Sequence, residues 1–425
     1  MKYLCIIILI LNSIILCGQT VKENRFIFPV SINCENSYAK ISAFNSKKVI
    51  GIGESMYGSE EIKLTAFHYI KNLILNGRCK TVLIESPTVM SLKWDLYTQG
   101  IASDSLLPEI LEEVKLGFAS SAPYSDFFKW LREYNSSQKN KVRIFGIRGG
   151  LLSLTHLRDY FNILQQNGSS KDVYHEILEN MHNPEKIVKI LKGETAIKSD
   201  MGEANLNYLI YIINSTFDSY KAPESPELFK SPMKQIIDNI LSHGNPVSVS
   251  DNKLSDTRDY KMWKNADTVI SLFPGKKEQA VVFAHSSHVN KISLTDKLHN
   301  SKLLGDYMQE KYGKRYFCIS IQAGTGNYTR YKDTDETTLV TDTLEYPEIN
   351  SFERFGMESQ FNCFYCAASA LPKNINTVRL INKNPRYVLL KRRFDALVFI
   401  RRINPLQDIY EIKDLNFYKE FYKWR

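Results

Sequence analysis

Residues 48–61 read KVIGIGESMYGSEE, and this stretch decides the fold class. Its first six residues form a short apolar run with β-branched side chains, which is typical of a buried strand. Helix-like sequence follows from Ser59 to about Leu75, with Ser59 and Glu61 in the first turn. The pattern therefore predicts a strand that leads directly into a helix.

The same alternation recurs along the chain. Helical patterns separate further short apolar runs, each of which predicts a strand. These runs lie at 81–85, 142–147, 280–284, 316–321, 378–380, 387–390 and 396–400. Alternating strands and helices predict a three-layer α/β/α core with a mostly parallel sheet. Strand signals vanish from 151 to 243, which indicates an inserted helical lobe. We expect the α/β core at 20–150 and 250–425, and the lobe at 151–249.

The chain opens with MKYLCIIILILNSIILCGQT. One lysine precedes an apolar run from Tyr3 to Cys17, which is too short to span a membrane comfortably, and small residues follow it. This pattern predicts an export signal at 1–19 and an exported protein, periplasmic or extracellular, that contacts membrane only through that signal. Bulky Leu16 argues against a lipoprotein at Cys17, and an uncleaved anchor is the alternative.

Composition excludes several classes of protein. The chain has 425 residues, with 55 Lys and Arg against 46 Asp and Glu, so the net charge is +9. This mild charge permits an anionic ligand but is no nucleic-acid footprint, and we predict no nucleic-acid partner. Seven cysteines make no disulfide scaffold. Cys363 and Cys366 have the C-x-x-C spacing of a redox motif or of half a zinc site. No second cysteine pair completes a zinc site, which indicates a disulfide or two free thiols.

Residues with acid–base chemistry follow the predicted strands. Glu54 follows the first strand, Glu85 ends the second, and His285 and His288 follow the strand at 280–284. Ligands of open α/β sheets bind outside the carboxyl ends of the strands, where carboxylate and imidazole neighbours can move protons. The alternatives are glutamates that cap helices, a histidine bonded to backbone, and a helical turn with both rings on one face.

The stretch 51–61 also resembles the opening motif of the erythromycin esterase-like family, G-x-G-E-x-x-H-G-[ST]-x-E. Six further segments resemble motifs of that family, in order. They lie at 82–85, 130–135, 258–265, 283–288, 304–308 and 394–400. The resemblance implies an α/β/α core, a helical lobe and a cleft between them. It also implies hydrolysis of the lactone ester of macrolide antibiotics without a metal.

The resemblance assigns site residues one by one. Those that match the family are Glu54, Glu85, Arg258, Asp259, His285 and His288. Tyr57 stands where the family has its general-base histidine, and an ordinary tyrosine is a poor base at neutral pH. Ala66 and Arg148 replace a basic residue and an aspartate. We predict catalytic roles for Tyr57 and for the two glutamates and two histidines, and substrate contacts for Arg258 and Arg148.

Three functional hypotheses follow. The first is a hydrolase of a small-molecule carboxylic ester or lactone, linked by resemblance to antibiotic response. In it His285 or His288 activates water and Tyr57 donates to the oxyanion. The second is a binding protein that keeps the cleft but has lost turnover. The third is a metal-dependent hydrolase with the two glutamates and two histidines as ligands. An HxxH pair alone is a weak metal signal, so we predict no metal or cofactor.

Overall fold

The computed structural model describes residues 27–29, 42–88, 91–112, 121–148, 254–272, 278–292, 302–332, 335–379, 385–387 and 389–407. The predicted export signal at 1–19 and the predicted helical lobe at 151–249 lie outside these residues. The account of the fold concerns the described ranges alone.

A mostly parallel sheet of nine strands forms the centre of the fold. In chain order, the strands of the structure are β1 (Ile27–Pro29), β2 (Val49–Glu54), β3 (Cys79–Pro87), β4 (Arg143–Arg148), β5 (Gln279–His285), β6 (Tyr316–Lys332), β7 (Asp335–Thr343), β8 (Cys363–Ala367), β9 (Thr377–Arg379), β10 (Pro385–Tyr387) and β11 (Ala396–Ile403). The sheet runs in the order β1-β8-β11-β6-β2-β5-β3-β4, with β7 against β6, and β9 and β10 form a separate pair. Strands β11, β6, β2, β5, β3 and β4 are parallel to their neighbours in this run, and the pairs involving β1, β7 and β8 are antiparallel.

Helices cover the sheet. They are α1 (Glu60–Leu75), α2 (Leu92–Thr98), α3 (Leu107–Glu112), α4 (Ala122–Ser136), α5 (Leu254–Leu272), α6 (Ser286–Val289), α7 (Leu304–Tyr312), α8 (Phe352–Glu358) and α9 (Leu390–Arg393). The helices also pack on one another, because α4 contacts both α1 and α2, and α5 contacts α7. The α/β fold predicted from the sequence is therefore confirmed. No helix within the described ranges is long and apolar enough to cross a membrane.

The observed strands differ from the predicted pattern, which also lacks β1 and β8. The run at 316–321 continues to Lys332 because it pairs with β7, a polar strand that apolar periodicity does not detect. The predicted strand at 387–390 is wrong at its end, because β10 stops at Tyr387 and a helical turn begins at Leu390. Leu390 and Phe394 are both buried, and their spacing of four residues suits a helix rather than a strand.

Cys363 and Cys366 are both buried, free thiols on β8. Residues three positions apart on a strand point to opposite faces of the sheet. The structure thus selects the free-thiol alternative for this pair.

Candidate active site

The parallel register brings the predicted acid–base residues to one edge of the sheet. Glu54 at the end of β2 lies opposite His285 at the end of β5. Glu85 lies in β3, where the register shifts between Ile84 and Pro87. Gly53 lets α6 approach β2 closely, since a Cβ there would lie 2.7 Å from Ser286 Oγ. The strand ends and α6 therefore meet in one cleft.

Glu85 is the centre of this cleft. Its Oε1 accepts a hydrogen bond from Arg258 Nη2 at 2.6 Å, and its Oε2 accepts one from the backbone N–H of His285 at 2.9 Å. His288 Nε2 lies 3.5 Å from Oε1. Burial by itself opposes ionisation, but His288, Arg258, the His285 backbone N–H and Arg148 outweigh it and lower the pKa of Glu85 to about 2. Glu85 is therefore a fixed negative charge and a poor base.

Glu54 forms a buried ion pair with Lys63 on α1. The Lys63 Nζ lies 2.8 Å from one carboxylate oxygen and 2.6 Å from the other, and the two side chains are 0% and 4% exposed. Burial raises the pKa of Glu54 to about 7, although Lys63 opposes the shift. Glu54 is thus a carboxyl group that exchanges its proton near neutral pH.

Three rings enclose the Lys63 ammonium. The Nζ lies 5.9 Å from the ring centroid of Tyr57, 5.4 Å from that of Tyr124 and 5.1 Å from that of Phe283. Aromatic faces attract cations, and this effect strengthens where water is excluded. The rings and Glu54 together hold a positive charge beneath the cleft.

His285 has a partner at each ring nitrogen. Its Nδ1 accepts a hydrogen bond from the backbone N–H of Ser287 at 3.2 Å and lies 2.8 Å from the Ser287 hydroxyl. Its Nε2 lies 3.3 Å from the backbone carbonyl oxygen of Ser55. Nδ1 is thus an acceptor, and the proton resides on Nε2. Burial lowers the pKa of His285 to about 4, so the ring is neutral and caps α6.

His288 lies between two carboxylates. Its Nδ1 is 2.8 Å from Asp259 Oδ1, and its Nε2 faces Glu85. Asp259 also accepts the backbone N–H of Leu304 at 2.9 Å, which fixes its orientation. Burial by itself would lower the pKa of His288, but Glu85 and Asp259 raise it above the ordinary value. The two carboxylates therefore favour the protonated, imidazolium form of His288.

Tyr57 covers these groups at the mouth of the cleft. Its hydroxyl lies 3.4 Å from both oxygens of Glu85, and its ring lies 4.9 Å from the His285 ring. The residue is 36% exposed, with the hydroxyl directed at the buried carboxylate. Burial of the hydroxyl and the charge of Glu85 raise the pKa of Tyr57 well above 10. Tyr57 is consequently a hydrogen-bond donor at neutral pH.

Arginine side chains complete the cleft. Arg258, on α5, donates a hydrogen bond to Glu85, and its side chain is 39% exposed. Arg148 ends β4, and its positive charge acts on both Glu85 and Tyr57. Within the described ranges, no group of three or more His, Cys, Asp or Glu residues has the geometry to hold a metal ion. All seven predicted site residues thus belong to one network of charges and hydrogen bonds.

Lys63 is the functional candidate that the sequence analysis overlooked. Its signal was present, because Lys63, Ala66, Phe67, Ile70 and Ile74 follow helical spacing and all five are buried. A lysine within an apolar stripe needs a buried partner.

We predict that two opposed titrations act on stability between about pH 7 and about pH 5. His285, with its pKa lowered to about 4, disfavours the folded state as the pH falls, because the unfolded chain binds that proton first. Glu54, with its pKa raised to about 7, favours the folded state over the same range. In the unmodified chain, this pair should make the free energy of unfolding, measured by chemical denaturation, almost independent of pH over this range. In Glu54→Gln, stability should fall by roughly 2 kcal/mol over this range. A Glu54→Gln slope equal to that of the unmodified chain would contradict the assignment.

Fold and site together define a hydrolase-like α/β protein. The chain belongs to the erythromycin esterase family, whose family model matches residues 76–403, well over half of its length. The matched range starts after α1, so Glu54, Tyr57 and Lys63 precede it. No curated protein matches the chain by sequence.

Three solved structures share the fold. A protein from Bacillus cereus has a TM-score of 0.68 at 18% identity and covers 90% of this chain and 97% of its own. A succinoglycan biosynthesis protein has a TM-score of 0.65 at 18% identity, and the match covers 92% of this chain and 96% of that protein. A mutant of the erythromycin esterase EreC in its open conformation has a TM-score of 0.56 at 15% identity, and the match covers 92% of this chain and 99% of that protein. At these identities, the likeness establishes the fold alone.

Proposed function

We propose that this protein hydrolyses a carboxylic ester or lactone by activating water, with Glu54 as the general base. The observation that carries the proposal is the buried Glu54–Lys63 pair beside Tyr57 and Glu85, in which Glu54 has a pKa of about 7. A general base works best when its pKa is close to the operating pH. His285 and His288 are less suited to this role, because both ring nitrogens of His285 have partners and each ring nitrogen of His288 faces a carboxylate.

The other groups stabilise the charge that develops. When water attacks the carbonyl carbon, Glu54 accepts its proton and the carbonyl oxygen becomes an oxyanion. The Tyr57 hydroxyl and the Arg258 guanidinium are the partly exposed donors that can turn from Glu85 to that oxygen. Collapse of the intermediate breaks the C–O bond, and the leaving alkoxide takes a proton from protonated Glu54 or from His288. An ester yields a carboxylic acid and an alcohol, and a lactone yields a single hydroxy acid.

Family membership supports an ester or lactone as the substrate, and macrolide antibiotics are the first candidates. An exported location, as the N-terminal sequence predicts, would bring the protein into contact with such compounds before they enter the cell. A panel of macrolides, simple lactones and aryl esters, assayed with the purified chain, tests the substrate class. Absence of turnover across the whole panel would refute the proposal for these substrates.

Tyr57→Phe is expected to lower kcat/KM by about 100-fold, the lower end of the range for loss of one oxyanion donor. The ring, its contact with His285 and its contact with Lys63 remain, so unfolding temperature should change little. An exposed tyrosine elsewhere, Tyr346, is 59% exposed and provides the matched control Tyr346→Phe. Unchanged kcat/KM in Tyr57→Phe would remove Tyr57 from the mechanism.

A binding protein without turnover is the second candidate. The observation in its favour is that both histidine rings already have partners, so neither is available as a base. Tyr57→His separates the two candidates because it restores the family's histidine beside Glu85. Turnover that appears only in this variant would establish a binding role for the natural chain, whereas loss of existing turnover would establish Tyr57 as a working group.

A further inference from the structure

A cavity lies at the opposite end of the strands from the candidate active site. Its volume is about 450 Å³, within the range of small-molecule sites. The residues that line it are Asn45, Ser46, Lys47, Lys48, Gly77, Arg78, Glu278 and Arg315. Strand β2 separates it from Glu54 by about 17 Å, since a strand rises about 3.3 Å per residue. The two sites are therefore distinct.

Positive charge converges on this cavity from separate parts of the chain. Lys47 and Lys48 precede β2, Arg78 precedes β3 and Arg315 precedes β6, and Glu278 is the single acidic residue of the lining. The nominal charge of the lining is therefore +3. Burial and the nearby Arg315 lower the pKa of Lys48, against the effect of Glu278. Such mutual repulsion is relieved when an anion binds.

Three of the four cationic side chains donate to backbone carbonyl groups. Lys47 Nζ donates to Lys314 O at 2.8 Å, Lys48 Nζ donates to Glu278 O at 3.0 Å, and Arg78 donates to Asn45 O. A carbonyl acceptor orients a cation without neutralising its charge. The segment is also tied together by the bond from Lys48 N to Arg315 O at 2.8 Å. The cavity is thus positively charged and preorganised, which lowers the ordering cost of binding.

We propose that this cavity is a binding site for a phosphate-bearing ligand, either a soluble phosphate ester or the headgroup of an anionic lipid. Two guanidinium groups suit phosphate oxygens, because each presents a planar pair of N–H donors. A ligand with two or more negative charges matches the net charge of the lining. The volume exceeds that of a phosphate group, so an attached sugar or glycerol fits as well. A small concave site with four cations does not form the extended basic surface that nucleic acid requires.

The test uses the full chain and inorganic pyrophosphate as the soluble probe. Isothermal titration at moderate salt should show saturable binding, and Arg78→Ala together with Arg315→Ala should weaken it by roughly tenfold or more. Both arginines are exposed, so the double variant should keep the unfolding temperature of the unmodified chain. Lys129→Ala removes an exposed positive charge from α4 and should leave binding unchanged.

A second arm distinguishes the two sources of phosphate. Sedimentation with phosphatidylglycerol vesicles, against phosphatidylcholine vesicles, tests the lipid headgroup with the same variants. A lipid ligand is assigned if the unmodified chain binds phosphatidylglycerol vesicles selectively and the arginine double variant does not. A soluble ligand is assigned if the chain binds pyrophosphate but neither kind of vesicle. The proposal is overturned if the unmodified chain binds neither probe, or if the double variant and Lys129→Ala bind both probes as the unmodified chain does.

Discussion

Glu54→Gln is expected to lower kcat/KM for ester or lactone hydrolysis by about 10²- to 10⁴-fold, the usual contribution of a general base. Glutamine keeps the size of the side chain and an oxygen for Lys63, but it cannot accept the proton of the attacking water. In the unmodified chain, activity should rise with pH through about 7, where Glu54 ionises. The pH profile of Glu54→Gln should lack that step.

Glu60→Gln is the matched control for this prediction. Glu60 is in the first turn of α1, six residues after Glu54, and takes no part in the cleft contacts. It should retain full activity. Binding of an ester analogue to Glu54→Gln should persist, which separates loss of chemistry from loss of the site. Activity of Glu54→Gln within a few-fold of the unmodified chain would exclude Glu54 as the base.

Lys63→Met is expected to destabilise the fold by about 3–5 kcal/mol at alkaline pH, the range for removing one partner of a buried ion pair. Methionine fills a similar volume, so the loss is chiefly electrostatic. Glu54 then has no cation beside it, and its pKa rises further above 7 because Lys63 is the main influence that lowers it. At about pH 5 the carboxyl group is protonated and the destabilisation should be much smaller.

Two variants make this prediction specific. Combining Lys63→Met with Glu54→Gln removes both charges, and the double variant should be more stable at alkaline pH than Lys63→Met alone. Lys93→Met is the control, since Lys93 is also buried but its carboxylate partner, Glu109, is 59% exposed and remains solvated. Chemical denaturation at two pH values measures each free energy of unfolding. A Lys63→Met effect independent of pH would refute the electrostatic account.

The strands of the central sheet were the most predictable part of the fold. Runs such as 48–53 and 280–284 are apolar throughout because both faces of a parallel sheet are covered, and β2 and β5 are buried along their full length. Strand β7 was not predictable in the same way. Its sequence DETTLVTDT is polar, and its place in the sheet depends on pairing with β6, where Arg330 bonds Asp342 at 2.9 Å.

Most members of the site were predictable, although Lys63 was missed, but the chemistry of the site was not. Residues at the carboxyl ends of parallel strands must converge, so placing Glu54, Glu85 and His285 together required only the strand pattern. Their protonation states depend on neighbours that are distant in sequence. Glu85 is held ionised by His288 and by Arg258, the latter 173 residues away, and His285 is neutral because burial lowers its pKa to about 4. No local pattern reports such contacts.

Local patterns in the sequence were enough for the α/β class, the family and the residues that reach the cleft apart from Lys63, because strand and helix periodicity and short motifs are local properties. The difference in acidity between the two glutamates of the site arises only in the folded chain. Glu54 and Glu85 follow similar strands, yet burial beside one lysine raises the pKa of Glu54 to about 7, while His288, Arg258 and a backbone N–H lower that of Glu85 to about 2. The difference arises from desolvation and from charges brought together by folding, and neither is encoded at one position of the chain.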